Sequence, residues 1–177
     1  ATSVNELLGF EGSAANAYWQ ALAKAIDYKF GFIGRVTRGA TDIVNSALNY
    51  GYAILYSKIL KSIAGAGLSP HVSYLHALDE QKPTLAFDLI EEFRAFIVDR
   101  AVISMVNKNE PFEIKDGLLS AAARQNIAKN VNEKLFSCTE YRGEQLKTQD
   151  VIDKQAYALK RAVTQSEKYK PFIGRFQ

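Results

Sequence analysis

The chain is poor in cysteine, and it has no long apolar run. Among its 177 residues there is one cysteine, Cys138, so no disulfide can form within the chain. A single thiol is usual for proteins of a reducing compartment, and we expect a cytoplasmic location. No segment approaches the roughly 20 apolar residues needed to span a bilayer, and the first residues lack the basic start of a signal peptide. We therefore expect a soluble protein with no membrane partner.

Proline is also scarce, and its positions divide the chain into helical segments. The four prolines stand at positions 70, 83, 111 and 171. No alternation of apolar and polar residues flanked by hairpin turns is apparent, so we predict no strands. Periodicity and capping residues predict helices over 11–26, 43–64, 84–107, 118–136 and 148–165. The predicted fold class is all-α, a helical bundle forming a single domain over residues 1–177.

Charge of one sign is not in large excess, but it is unevenly distributed. Residues 124–177 hold 11 Lys and Arg against 6 Asp and Glu, whereas residues 1–123 hold 11 against 13. A basic C-terminal third is suited to a polyanion, while the rest keeps carboxylates that could bind a metal. Basic surfaces of this size also occur without such a partner, so charge alone leaves the function open.

Histidine is rare, and one of the two, His76, precedes the third predicted helix. On a 3.6-residue wheel, Asp88 and Glu91 lie outside an apolar arc of about 140°. They are three residues apart and therefore neighbours on one face. Two carboxylates this close repel each other unless a cation joins them or one takes up a proton. The pattern leaves two interpretations open: a metal site, or solvated acids near a helix N-terminus.

Glu11 is a further carboxylate candidate. The residues three, four and seven positions after it on its helix face are Ala14, Ala15 and Tyr18. Small side chains beside a carboxylate leave room for another helix or for a ligand. From spacing alone, an ordinary acid near a helix N-terminus explains Glu11 equally well.

Three sequence blocks, taken together, are more specific than any of these spacings. The blocks are Gly9-Phe-Glu11-Gly12-x-Ala14-Ala15-x-x-Tyr18-Trp19; Asp42-x-x-Asn45-x-x-Leu48-x-x-Gly51-Tyr52-x-x-Leu55 with the later Gly67-Leu68-x-Pro70 and Leu75-His76; and Pro83-x-Leu85-x-x-Asp88-Leu89-x-Glu91-Glu92-Phe93-Arg94 with Val98-Asp99-Arg100. In order and over nearly the whole chain, they resemble the CRISPR-associated integrase and endonuclease that inserts new spacers during adaptation.

The resemblance implies a metal-dependent enzyme that joins or cuts DNA. It implies that Glu11, His76 and Glu91 bind a divalent metal, and that Asp88 lies close by in a catalytic role. Carboxylates with one imidazole suit Mg²⁺ or Mn²⁺ better than a metal that prefers thiolates. His71 matches nothing in the family pattern, and we interpret it as a loop residue.

The expected partner is DNA, branched or duplex, comprising the repeat and the spacer precursor. Arg35, Arg38, Lys82 and Arg142 are the candidates for binding its phosphates, and each could equally be a solvated surface charge. The family also implies a small ferredoxin-like partner protein and a homodimer. Its members carry an N-terminal β-rich domain for subunit pairing. Only ten residues precede Glu11, so we expect that domain to be absent, cleaved or replaced, which puts dimerisation in doubt.

Two alternative functions remain open at this level. One is a non-catalytic helical module that binds DNA or proteins inside an adaptation complex. The other is a related transposon integrase, which would share the same site chemistry. Loss of activity in a His76→Ala variant would separate the enzyme from the inert module.

Overall fold

A computed structural model describes residues 3–72, 82–111 and 113–174. The six α-helices of this part of the chain are α1 (Val4–Ala25), α2 (Ile43–Gly65), α3 (Thr84–Phe93), α4 (Arg100–Asn107), α5 (Ala121–Phe136) and α6 (Thr148–Gln165). The prediction of an all-α fold is confirmed. None of the described helices combines the length and the apolar character needed to cross a bilayer.

Helix α2 is the centre of the bundle. It begins where the Asp42 side chain accepts a hydrogen bond from the backbone N–H of Asn45 at 2.8 Å, as an N-cap does. It packs against α3, α4, α5 and α6 and buries ten of its residues. At Gly51, an added Cβ would lie 2.6 Å from Cγ1 of Val98. Glycine at this position therefore allows a close approach between α2 and the segment after α3.

Helices α3 and α4 are continuous through a π-helical segment, Arg94–Asp99. Their joint extent matches the helix predicted over 84–107. The π segment adds a residue to one turn, and three consecutive residues, Ile97, Val98 and Asp99, are buried there. The wider turn therefore places Asp99 inward beside Ile97 and Val98.

Two short antiparallel hairpins flank α5, and the prediction of no strands is wrong. The strands are β1 (Ile114–Lys115) with β2 (Leu118–Leu119), and β3 (Cys138–Tyr141) with β4 (Glu144–Lys147). Each hairpin turns on two residues with positive φ, Asp116-Gly117 and Arg142-Gly143, as in type I′ turns.

The helix predicted over 118–136 therefore starts later than expected. It begins at Ala121, where the Ser120 hydroxyl accepts a hydrogen bond from the Ala123 N–H at 3.1 Å. Leu118 and Leu119 belong to β2 instead. The Asp-Gly pair just before them is a strong hairpin signal that the helical interpretation overlooked.

Helix α1 lies at the edge of the bundle. It begins at Val4, seven residues before the predicted start, because the Ser3 hydroxyl accepts a hydrogen bond from the Glu6 N–H at 3.2 Å. No residue of α1 is buried. Trp19, Leu22 and Ala23 in its C-terminal half pack partly against the core, so this half holds α1 on the bundle.

Candidate functional site

The acids predicted from the third helix both lie on α3. Glu91 is exposed, and its Oε1 is 2.6 Å from Nη1 of Arg94, one turn further along. Asp88 is half-buried and lines a cavity of about 410 Å³ together with Glu92 and Tyr169. Both candidate carboxylates therefore lie on α3, and the Arg94 guanidinium orients that of Glu91.

Glu11 is exposed on α1, and Tyr18 lies two turns further along the same face. The Tyr18 hydroxyl donates a hydrogen bond to Oδ2 of Asp99 at 2.9 Å. This contact connects the face of α1 that carries Glu11 to the π segment that follows α3.

Asp99 is a buried carboxylate with two tyrosine donors. The residue is 2% exposed, and the Tyr52 hydroxyl on α2 donates a second hydrogen bond, to Oδ1. Burial raises the pKa of Asp99, although both tyrosine hydrogen bonds act in the opposite direction. Burial and the neighbouring Asp99 carboxylate raise the pKa of Tyr18 and of Tyr52. Both phenols therefore remain protonated donors.

Two guanidinium groups lie over the Tyr52 ring. The Arg94 guanidinium carbon is 4.3 Å from the ring centroid, and that of Arg35 is 5.3 Å from it. Arg94 also pairs with Glu91, so a continuous path of contacts runs from Glu91 through Arg94, Tyr52 and Asp99 to Tyr18. We call this path the Asp99 network. It connects α3, which carries Glu91, through α2 to α1, which carries Glu11.

Sequence reasoning assigned no role to Asp99, although the residue lies in the third sequence block. The sequence did contain a signal, because Asp99 and Arg100 interrupt an otherwise apolar stretch, between Ile97-Val98 and Ala101-Val102. A lone carboxylate inside an apolar helical stretch is expected either to face solvent or to be buried with partners.

The proposed metal ligands are only partly covered by the described residues. His76 lies outside them. Within residues 3–72, 82–111 and 113–174, no three His, Cys, Asp or Glu side chains form a group that could hold a metal. The described candidates, Glu11 and Glu91, supply exposed carboxylate oxygens, which are the donors that Mg²⁺ and Mn²⁺ prefer. The chemistry of this donor set therefore fits such an ion.

The four candidates for phosphate binding have different surroundings. Arg35 is half-buried and donates hydrogen bonds to the Asn45 and Asn49 side chains at 3.0 and 2.6 Å. These bonds anchor the loop before α2 to that helix. Arg38 and Lys82 are exposed, and Arg142 is exposed on the β3–β4 turn.

His71 lies in the turn region after α2, as the sequence predicted. Its Nδ1 is 3.2 Å from the backbone carbonyl oxygen of Lys82. The Thr84 hydroxyl donates a hydrogen bond to the His71 carbonyl at 3.2 Å. These contacts hold the turn after α2 against the start of α3.

Comparison with known proteins identifies the family. Residues 1–133 match the family model of CRISPR associated protein Cas1. The chain is 38% identical over 176 residues to CRISPR-associated endonuclease Cas1 1 of Francisella tularensis subsp. novicida, covering 99% of this chain and 54% of the relative. It is 35% identical over 179 residues to CRISPR-associated endonuclease Cas1 1 of Thermus thermophilus, covering 97% and 56% respectively.

Solved structures show the same fold. A casposase bound to integration product matches with a TM-score of 0.88 at 32% identity, covering 97% of this chain and 51% of that one. The chain also matches a Cas6-RT-Cas1–Cas2 complex with a TM-score of 0.83 at 25% identity, covering 100% of this chain and 20% of that one. The chain spans about half the length of the curated relatives it matches. By its family model and its relatives, this chain belongs to the Cas1 family of CRISPR-associated proteins.

Proposed function

We propose that this chain provides the catalytic part of a metal-dependent DNA endonuclease and integrase of CRISPR adaptation. Family membership supports the activity class, because the relatives are named endonucleases. One structural observation carries the site assignment: the Asp99 network connects the helix of Glu11 to the helix of Glu91. Such a connection is expected where two helices must present their carboxylates to one ion.

Glu11, His76 and Glu91 would hold Mg²⁺ or Mn²⁺ in this proposal. A bound ion of this kind supplies positive charge that stabilises the developing charge on the scissile phosphate. Arg94 holds the Glu91 carboxylate through Oε1 and limits its rotation. Asp88, one turn before Glu91, would orient His76 or act as a general base.

The proposed reaction is a transesterification. The 3′-hydroxyl of an incoming DNA strand attacks a phosphodiester of the repeat, and its proton passes to Asp88. A new P–O bond forms as the bond to the departing 3′-oxygen breaks, and that oxygen takes up a proton. The number of phosphodiester bonds is unchanged. With water as the attacking group, the same residues would hydrolyse the strand.

The same comparisons support DNA and a protein as the proposed partners. The structure of a casposase bound to integration product supports joined DNA as the ligand class. The Cas6-RT-Cas1–Cas2 complex supports a Cas2-like protein, the small ferredoxin-like protein expected from the sequence, as a partner. Arg38, Lys82 and Arg142 are exposed, and they would contact phosphates without reading the base sequence.

The first experiment measures nicking and joining of branched DNA in Mn²⁺, in Mg²⁺ and in chelator, with Mn²⁺ binding measured by calorimetry. In His76→Ala and Glu91→Gln, we expect loss of Mn²⁺ binding and a fall in activity of about a hundredfold or more, because even residues that only orient metal ligands contribute 10- to 100-fold. Glu133→Gln, which removes an exposed carboxylate on α5, is the matched control and should retain both. Activity that persists in chelator, or unchanged activity in both site variants, would contradict the proposal.

A further inference from the structure

The two carboxylate oxygens of Glu91 are not equivalent. Oε1 lies 2.6 Å from Nη1 of Arg94. Within the described residues, Arg94 is the partner of this carboxylate, so Oε2 is the oxygen left for a ligand. An oxygen that accepts a charge-assisted hydrogen bond is already engaged in a strong interaction, and the guanidinium beside it repels a cation placed there. Oε1 is therefore a poor metal ligand as long as Arg94 stays in place.

Arg94 is held more firmly than an ordinary surface arginine. Exposed ion pairs three residues apart on a helix contribute little by themselves. The Arg94 guanidinium carbon, however, lies 4.3 Å from the centroid of the Tyr52 ring, and a cation above an aromatic ring is attracted more strongly when both are partly removed from water. Tyr52 is buried and donates its hydroxyl to Asp99. The Asp99 network therefore fixes the group that occupies Oε1.

The backbone that carries this ion pair is fixed as well. Ile90 and Phe93 are 5% and 0% exposed, so both side chains are anchored in the core. Glu91 directly follows the first of them, and Arg94 directly follows the second. The ion pair can therefore separate only through rotation of its side chains, and rotation of Arg94 would cost the contact with Tyr52.

Divalent ions differ in how many carboxylate oxygens they take. Ca²⁺ binds roughly six to eight oxygens, and it can take both oxygens of one carboxylate. Mg²⁺ requires a nearly octahedral shell, keeps several waters and binds proteins through only one or two carboxylates. Mn²⁺ also accepts octahedral oxygen coordination. A carboxylate that can give only one oxygen therefore suits Mg²⁺ and Mn²⁺ better than Ca²⁺.

We propose that Arg94 is a positioning residue that makes the candidate site selective for Mg²⁺ and Mn²⁺ over Ca²⁺. It does so by holding Oε1 of Glu91 and leaving Oε2 for the ion. This role rests on the proposed function, because it takes Glu91 as a metal ligand. Arg94 acts through Glu91 without touching the ion. Its loss should therefore change the relative affinities of the three ions.

A ratio of affinities separates this effect from the loss of a charge. The three ions carry the same charge, so removing the Arg94 charge strengthens the binding of each by a similar factor. Mn²⁺ binding is measured by calorimetry, and Mg²⁺ and Ca²⁺ binding by displacement of bound Mn²⁺. In Arg94→Gln, we expect the Kd of Ca²⁺ divided by the Kd of Mn²⁺ to fall about tenfold or more, the scale on which residues that orient metal ligands act. The corresponding Mg²⁺ ratio should stay unchanged.

Two further variants control for charge and for folding. Arg94→Lys keeps the positive charge but loses the planar group that stacks on Tyr52 and fixes a carboxylate, so the Ca²⁺ to Mn²⁺ ratio should fall in this variant too. Arg124→Gln removes an exposed guanidinium on α5 and should leave the ratio unchanged. Circular dichroism checks the fold of each variant, and Arg94→Lys decides the question if Arg94→Gln is unfolded.

Several results would overturn the role of Arg94. One is a Ca²⁺ to Mn²⁺ ratio that stays the same in the folded Arg94 variants, and another is an equal fall of this ratio in Arg124→Gln. Ca²⁺ binding as tight as Mn²⁺ binding in the unmodified protein would show that the site is not selective. If Mn²⁺ binding is lost in Glu91→Gln but the ratio ignores Arg94, the proposed function stands and only the role of Arg94 fails. An unmodified protein that binds no Mn²⁺ would contradict both.

Discussion

Helices α1 and α2 are nearly equal in length, with 22 and 23 residues, but they are held in place differently. Helix α2 buries ten residues, and α1 buries none. The central helix is fixed by apolar packing on nearly every side. Helix α1 depends on the partial packing of its C-terminal half and on the Tyr18–Asp99 hydrogen bond. Because Glu11 is on α1, the geometry of the candidate site relies on a few polar contacts more than on the core.

The largest expected effect tests this difference in packing directly. Leu55 on α2 is 0% exposed, and Leu8 on α1 is 39% exposed. Leu55→Ala leaves a cavity in the core and should lower the free energy of unfolding by about 3 kcal/mol. Leu8→Ala should lower it by less than about 1 kcal/mol. Urea denaturation of both variants is the measurement. Similar losses at the two positions would show that α1 is packed as firmly as α2.

A smaller and more local effect is expected from Tyr18→Phe. The variant removes the hydroxyl that donates to Asp99. Hydrogen bonds to charged groups contribute about 1.5–3 kcal/mol, so amide hydrogen exchange in α1 should accelerate about tenfold or more. Exchange in α2 should change little, because its packing is untouched.

The matched control for Tyr18→Phe is Tyr28→Phe. Tyr28 is 94% exposed just after α1, and losing its hydroxyl should leave exchange in α1 as it is. Equal acceleration of exchange across α1 and α2 in Tyr18→Phe would mean that the two helices open together and are not held in place by different contacts.

The smallest expected effect concerns pH and the residue that links the two helices. Burial raises the pKa of Asp99 above its usual value of about 4. At a pH between the usual and the raised pKa, Asp99 holds a proton in the folded protein and releases it in the unfolded chain. The stability of the unmodified protein should therefore fall as pH rises through this window. Asp99→Asn cannot titrate, so the stability difference, unmodified protein minus variant, should decrease with rising pH.

Urea denaturation at several pH values from 4.5 to 7.5 measures this difference. Asp116→Asn, which removes an exposed carboxylate on the first hairpin turn, is the matched control. A difference that stays constant or increases with pH would show that the pKa of Asp99 is not raised in the folded protein.

Much of the helical fold was predictable from the sequence. The helix predicted over 148–165 coincides with α6, and the predicted start of the second helix, residue 43, is the observed start of α2. Both predictions rested on strong local signals, namely a clear periodicity and capping residues before the first turn. The hairpins were missed because their strands are only two to four residues long, too short to show an alternating pattern.

The burial of Asp99 could not be predicted from helical periodicity. At 100° per residue, Asp99 falls about 40° outside the apolar arc of the third predicted helix. The π segment changes this phase and turns Asp99 toward Tyr52 and Tyr18. Its inward position depends on tertiary contacts with two other helices, and a wheel contains no information about these. The metal-binding roles of Glu11, His76 and Glu91 remain predictions.

The π segment also has a consequence for how this helix tolerates changes in length. A π turn holds one residue more than an α turn, so the apolar stripes of α3 and α4 stay aligned on the core although the spacing between them contains an extra residue. A gene that lost one codon between positions 94 and 99 would encode an ordinary α-helix with both stripes still facing inward. The same loss within α2 would rotate half of a fully packed helix by about 100°. Within the described helices, the π segment is therefore a place where deletion of a partly exposed residue keeps the stripes of α3 and α4 in register and instead displaces the carboxylate that holds α1.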